Sequence, residues 1–387
     1  MAESKGYKIV LVDDEVSVTR SLIRELSDWG DAHGVSFLAF QNPLEVLDAL
    51  KESPDVFLVI SDLRMPEMLG SDLLLAISKN FPDIITILLT GFSEVEEIMK
   101  AVKAGIFSYI LKPWDEKYLL AEVQKAFDLY TIRKEREEYI TLLNEELKWG
   151  GELQKKLLTR ELPVSDTFSF DVVYQPLPKL YCGGDYYDVI PLSGERYLVL
   201  LGDVAGHGLK AAFITTILKT VIYSGYIRDH RNDENFSPAG FLFWLNKRIS
   251  RELESFPDML ITFVALLVSK ERIVFSNAGQ SQFFLVRGNK YYPVYEEGIC
   301  LNITDTPVYK NRVFKLARGD ALFLFTDGLT EVTENKTTLP LKTTGKLFVK
   351  AVAENKTVQQ TINFFQNKSS GHCFYDDVTL LRIKVAI

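Results

Sequence analysis

Cysteine is scarce: Cys182, Cys300 and Cys373 stand far apart in a chain of 387 residues. Such spacing assembles neither a disulfide framework nor a cysteine-rich zinc site, and it suits a reducing compartment. Positive charge is not in excess either, since 44 Lys and Arg face 52 Asp and Glu for a net charge of -8. That balance argues against nucleic acid or an anionic membrane surface as a partner and favours proteins or small anions. Long apolar runs are missing: "LITFVALLV" stops before Ser269, and the segment after His207 is cut by Lys219, so no membrane span is expected. The opening "MAESKGYKIVLV" lacks the charged, apolar, small order of a signal peptide. The expected setting is soluble and cytoplasmic. Internal repeats and low-complexity tracts are also lacking. What is present is 47% hydrophobic and 12% aromatic content, enough at this length for two cores.

From Lys8 to about Leu129, apolar runs alternate with helix-period segments: "KIVLV", "SFLAF", "VFLVIS", "ITILLT" and "SYILK" are the strand-like members. Five such runs separated by helices predict an α/β, doubly wound, five-stranded parallel sheet. From Asp115 to about Thr159 the chain turns to Glu, Lys, Arg and Leu with no proline, which predicts one long helix or two abutting ones. Leu129, Ile132, Tyr139, Leu143, Leu153 and Leu157 roughly follow a heptad, so a solvated connector and a parallel dimer coil are both open. Gly150-Gly151 is expected to be a hinge, because glycine weakens a helix by roughly 1 kcal/mol relative to alanine. From Phe168 onward, paired apolar strands with hairpin breaks such as "LSGER" and "SKER" predict an α+β domain with a largely antiparallel sheet. Helices are expected there from Leu209, Ala239, Lys346 and Val358.

In the first part, Asp13 and Asp14 end the first strand, Asp62 the third, Thr90 the fourth and Lys112 the fifth. Functional crevices of such sheets lie at the carboxyl ends of the strands. Three carboxylates gathered there call for a hard cation such as Mg²⁺. Asp62, the central carboxylate, is the expected phosphoryl acceptor; Lys112 would pair with the added oxygens and Thr90 would hydrogen-bond one of them. These residues, as "VDDE", "SDLRMP", "LTGFS" and "YILKPW", resemble the receiver domain of two-component response regulators, a flavodoxin-like fold, over residues 6–129. The resemblance implies Mg²⁺ on Asp13, Asp14, Asp62 and the backbone carbonyl of Arg64, Tyr109 as the aromatic switch residue, and a sensor histidine kinase or phosphotransfer protein as partner.

In the last part, Asp185, Asp203, Asp327 and Asp376 sit at strand ends beside glycines or another carboxylate, in "CGGDYYD", "LGDVAGHG", "FTDGLTE" and "YDDVT". Carboxylates without neighbouring Cys or His ligands select Mg²⁺ or Mn²⁺ over zinc. Four of them can hold two ions and ready a water for attack on phosphorus, with the carbonyl of Val204 as a further oxygen. Cys182 lies in no phosphate loop and is expected to pack. Residues from about 150 to 387, with the domain itself at 161–387, resemble the metal-dependent protein serine/threonine phosphatases in their sporulation and stress-response branch, whose fold places antiparallel sheets between helices. The motifs are "GGDYYD", "GDVAGHG", "DMLITFVALLV", "NAGQ", "FTDGLTE" and "DDVTL". By that resemblance the four aspartates are the metal ligands, Asp203 bridges both ions, and Asp377 is a secondary ligand. Gln280 stands where the family usually has histidine, and Asn302 where it has glycine.

The stretch "GGELQKKLLTRELP" resembles the helix that precedes this phosphatase core and switches it, so residues 115–160 form the expected connector. Together these features imply a homodimeric response regulator whose phosphorylation at Asp62 controls dephosphorylation of an anti-sigma-factor antagonist. The alternative is a pseudophosphatase adaptor that binds a sigma factor or regulatory protein without catalysis.

Overall fold

The computed structural model describes residues 6–91, 95–103, 105–158, 161–177, 180–256, 258–333 and 337–386. It divides into two compact units, Met1–Leu142 and Leu143–Ile387. In the first, β1 (Tyr7–Val12), β2 (Val35–Phe40), β3 (Val56–Asp62), β4 (Ile85–Thr90) and β5 (Ser108–Leu111) form a sheet in the order β2-β1-β3-β4-β5. All of its pairings are parallel. Helices α1 (Val16–His33), α2 (Val46–Glu52), α3 (Gly70–Asn80) and α4 (Val95–Lys103) connect the strands.

Strands β3 and β4 are buried along their whole length. That is why they read as unbroken apolar runs, since both faces of the sheet are covered. In β1, Ile9 and Leu11 pack with Leu22 and Leu26 of α1, while Val10 and Val12 pack with Val46, Leu73 and Ile77 of α2 and α3. Each such side chain contributes roughly 1.5–3 kcal/mol on burial. The order turns back between β1 and β3, which opens the crevice beside the carboxyl ends of those two strands.

The connector is a single helix, α5 (Glu116–Leu158). It passes through Gly150 and Gly151 without a break, so the expected hinge is not a bend in this conformation. A Cβ on Gly151 would lie 2.2 Å from the carbonyl oxygen of Tyr181; glycine there serves close packing. Ile132, Tyr139 and Leu143 of the heptad stripe stay exposed. Among the described residues no helix is long and apolar enough to cross a membrane.

The second unit contains β6 (Phe168–Gln175), β7 (Asp185–Leu192), β8 (Arg196–Val204), α6 (Leu209–Val221), a π-helical turn at Ile222–Ile227, α7 (Arg228–His230) and α8 (Pro238–Glu252). Then come β9 (Ile261–Val268), β10 (Arg272–Ala278), β11 (Phe283–Arg287), β12 (Lys290–Val294), β13 (Arg312–Lys315), β14 (Ala321–Phe325), α9 (Leu341–Ala353), α10 (Val358–Gln366) and β15 (Val378–Val385). Two antiparallel sheets result, β13-β10-β9-β8-β7 and β12-β11-β14-β15-β6.

Period-two alternation sorts β8 between two cores. Tyr197, Val199 and Leu201 meet Phe170, Leu285 and Leu381 between the sheets. Leu198 and Leu200 meet Leu218 of α6 and Phe241 and Leu245 of α8 on the outside. The second sheet turns Phe284, Phe323 and Phe325 toward Phe348 of α9 and Ile362 and Phe365 of α10. Helices thus flank a two-sheet sandwich. Strands β12 and β13, missing from the sequence expectation, are short, largely exposed edge strands with no apolar run to betray them. Helix α9 starts earlier than the expected Lys346.

Candidate functional site

At the carboxyl ends of the parallel strands, Asp13, Asp14 and Asp62 bring carboxylate oxygens within 4.8 Å of one another. The Lys112 ammonium lies 2.8 Å from Asp13 and 2.5 Å from Asp62. The Arg64 amide donates to Asp62 at 3.1 Å, and the Lys112 amide donates to the Thr90 carbonyl at 2.7 Å. Burial raises Asp62 above the ordinary carboxylate range, while the hydrogen bond and charge of Lys112 pull it back. Thr90 is buried, whereas Tyr109 of β5 is 40% exposed.

The second acidic group gathers at one end of the sandwich. Asp185 and Asp203 are direct partners in the β7–β8 ladder, a like-charge pairing that is unfavourable by itself. Asp327 opens the turn after β14, and Asp376 and Asp377 immediately precede β15, its neighbour in the second sheet. Asp203 is pushed up to about 9, by burial first and then by Asp185, Asp327, Asp376 and Asp377. Burial likewise drives the fully enclosed Asp185 well above its ordinary value, against hydrogen bonds from Thr379 and Thr326. No lysine or arginine pairs with Asp185, Asp203 or Asp377 among the described residues. An all-oxygen acidic set with this much unfavourable repulsion suits hard divalent cations, which reverse the sign of the interaction.

Several supporting residues were not assigned from sequence. Thr326 and Thr379 donate to one oxygen of Asp185 at 2.8 and 2.6 Å; both stood inside the motifs, but a threonine beside an aspartate carries no distinct signal. Asp377 accepts from the amides of Leu177 and Gly184, each at 2.9 Å. This clamps the loop before β7, so its geometry is that of a positioning group. Cβ atoms on Gly183 or Gly184 would strike the Asp377 carboxylate at 2.2 Å or the Val204 carbonyl at 2.6 Å, so glycine is what permits this approach.

Gln154 of α5 is buried and donates to the Gly183 carbonyl and the Thr215 hydroxyl, both at 2.8 Å. Its own oxygen accepts from the Gly183 amide at 3.2 Å. The connector helix therefore grips the residue next to the Asp185 loop.

Both departures from the family pattern have local explanations. Gln280 is buried, bonded to the Thr262 hydroxyl and, at 3.2 Å, to the Phe325 carbonyl. Asn302 adopts φ 67°, the left-handed region that asparagine tolerates better than other non-glycine residues. His207 and Lys210 are exposed. Cys182 is fully buried and its thiol is pushed up by burial, then by Asp377, as suits a packing role.

The Stage II sporulation protein E (SpoIIE) pattern matches residues 193–386, half of the chain, and the response regulator receiver domain pattern matches residues 9–124. Among curated relatives, the phosphoserine phosphatase RsbU of Bacillus subtilis (strain 168) is 24% identical over 196 residues, covering 50% of this chain and 56% of that protein. The DNA-binding transcriptional regulator NtrC of Proteus hauseri is 35% identical over 126 residues, covering 32% of this chain. The chain thus spans between 25% and 56% of the length of these relatives. A solved structure, the SiaA-PP2C domain of Pseudomonas aeruginosa, covers 64% of this chain and 98% of its own at 18% identity and a TM-score of 0.53; that similarity speaks for the fold alone. Asp203, Asp327, Asp376 and Asp377 of the second acidic site fall within the first matched range, with Asp185 just ahead of it, and Asp13, Asp14 and Asp62 fall within the second: the chain belongs to the Stage II sporulation protein E family and carries an N-terminal response regulator receiver domain.

Proposed function

We propose that the chain is a Mg²⁺- or Mn²⁺-dependent phosphoserine or phosphothreonine protein phosphatase controlled by phosphorylation of Asp62. The carrying observation is the cluster of Asp185, Asp203, Asp327, Asp376 and Asp377, in which burial first, and then the charges of the other four, push Asp203 up to about 9. The relation to RsbU supports a phosphoserine substrate. Resemblance to the stress-response branch supports a phosphorylated anti-sigma-factor antagonist, in a cytoplasmic partner-switching pathway.

In this reading Asp185, Asp203, Asp327, Asp376 and the Val204 carbonyl would hold two divalent ions. Bound there, the ions supply Lewis-acid charge and lower the pKa of the attacking water. Water bonds phosphorus as the bond to the serine oxygen breaks, and that oxygen leaves as the alcohol. Thr326 and Thr379 fix Asp185, and Asp377 fixes the loop before it. The test is Mn²⁺-dependent phosphate release from a phosphoserine peptide by the native chain and by Asp203→Ala.

In the receiver, Asp13, Asp14, Asp62 and the Arg64 carbonyl would hold Mg²⁺, and a carboxylate oxygen of Asp62 would accept phosphoryl from a histidine kinase or phosphotransfer protein. Lys112, already bonded to Asp13 and Asp62, is poised to pair with the added oxygens; Thr90 and Tyr109 report the change. The output travels along α5, which has residues in both units. Its exposed Ile132, Tyr139 and Leu143 support a homodimeric coil.

Beryllofluoride is expected to change phosphate release about fivefold or more, within the usual range of allosteric coupling, and to alter sedimentation. Asp62→Asn should abolish both responses; if native chain and variant respond alike, the coupling is wrong. Gln154→Leu is expected to raise the Mn²⁺ concentration for half-maximal activity by about 10–100-fold, as loss of a supporting hydrogen-bond partner does at metal sites. An unaltered Mn²⁺ requirement would remove α5 from control of the site.

A further inference from the structure

The acidic cluster and an apolar patch share one end of the same sheet. Asp185 opens β7, Asp203 lies near the end of β8, and Leu260 immediately precedes β9, two residues before the Thr262 that pairs with Asp203. The amide of Ala205, in the loop that follows Asp203, donates to the Leu260 carbonyl at 2.8 Å. At about 3.3 Å per residue, Leu260 stands roughly 7 Å from the Asp203 rung.

Leu260 is 38% exposed, and in its own loop and the loop clipped to it Phe256 is 60%, Ile299 38% and Ile303 47% exposed. These residues come from two loops, one before β9 and one between β12 and β13. A clip joins the loops. Leu301 and Ile261 exchange backbone hydrogen bonds at 2.9 and 3.4 Å, and the Asn302 side chain donates to the carbonyls of Phe256 and Met259 at 3.3 and 3.0 Å. The Asn302 amide in turn donates to Asn246 at 2.9 Å. Single exposed apolar residues are ordinary, but here two loops that carry four of them are held together by a polar clip.

We infer that this patch receives the substrate segment beside the phosphorylated residue, and that the substrate class is a phosphoserine or phosphothreonine flanked by apolar side chains about two to four residues away. The inference rests on the phosphatase reading. A polypeptide that delivers a phosphate to Asp203 has to run over the surface next to it, and on the β9 side that surface is Leu260, Phe256 and Ile303. An extended chain reaches Leu260 within about two residues of the phosphate. Apolar flanks there exclude water from both surfaces, whereas acidic flanks would meet the exposed Asp258 and Asp305 of the same two loops.

The test uses the full chain with Mn²⁺ and beryllofluoride on two phosphoserine nonapeptides, one with leucines at the second and third positions on each side and one with serines there. The leucine peptide should show a kcat/KM about tenfold or more higher, the discrimination one or two apolar contacts provide. Phe256→Ser with Ile303→Ser should bring the ratio near one with an unaltered unfolding transition, and Phe256→Leu with Ile303→Leu should keep it. Equal kcat/KM values in the native chain, or a ratio that survives the serine variant, overturn the inference while leaving the phosphatase reading intact. A serine variant that loses self-association but keeps the ratio assigns the patch to a second copy and also overturns it. If the native chain cleaves neither peptide nor p-nitrophenyl phosphate, the phosphatase reading falls and takes this inference with it.

Discussion

Asp203→Ala is expected to lower Mn²⁺-dependent phosphate release by about a thousandfold, the equivalent of several kcal/mol of transition-state charge stabilisation. Asp203 faces Asp185 across the ladder and feels the charges of four other aspartates, so its loss would weaken the hold of the proposed site on its cations. Stability should move the opposite way in the absence of metal. Removing a buried carboxylate from among like charges relieves repulsion, so the metal-free variant should unfold at a higher denaturant concentration than the metal-free native chain. Mn²⁺ at a hundred times its dissociation constant should stabilise the native chain by about 2.7 kcal/mol and the variant by much less. Equal stabilisation of the two would remove Asp203 from the metal site whatever the activity. Equal, near-zero rates in the two would instead sink the enzyme and leave the adaptor that binds without catalysis.

Lys219→Ala is expected to destabilise the second unit by about 3–5 kcal/mol, the usual cost of leaving one member of a buried ion pair alone. The Lys219 ammonium is 2.9 Å from Asp188 and donates to the Leu158 carbonyl, in the last turn of α5, at 3.1 Å. Asp188 accepts further from the Tyr186 and Tyr223 hydroxyls at 3.2 and 3.0 Å. Their side chains are only 9% and 4% exposed, so water cannot replace the lost ammonium. The double variant Asp188→Asn with Lys219→Met should recover much of the loss, because both charges leave together while the tyrosines keep an acceptor. Urea unfolding of the single and double variants measures both; a single-variant loss below about 1 kcal/mol would mean that the pair is solvated.

Lys219 shows where sequence reasoning stops. In the linear chain it only interrupts an apolar run and so speaks against a membrane span. Asp188 sits inside "GGDYYD", where Asp185 takes the attention, and nothing in spacing connects the two. The edge strands β12 and β13 were hidden for a related reason, since their residues are exposed and carry no apolar pattern. Gly150-Gly151 carries two meanings: local propensity marks a hinge, while α5 runs through the pair unbroken in this conformation and the approach of the Tyr181 carbonyl to Gly151 gives a packing reason for glycine. Gln154 was invisible because a single glutamine on a charged helix resembles any solvated one.

What the sequence determined by itself was whatever is written as a local pattern. Buried parallel strands read as continuous apolar runs, sandwich strands alternate, and aspartates beside glycine mark strand ends, so the two folds and the acidic residues at their rims were legible from periodicity and turn chemistry. The tertiary structure alone decided which of those residues meet and what holds them. It set Asp185 opposite Asp203, gave Asp377 to backbone amides, placed Thr326 and Thr379 on Asp185, and brought the Gln154 amide to Gly183. These contacts join residues far apart in the chain through the packing of two sheets and a helix, and hydrogen bonds between distant side chains leave no periodicity in the sequence.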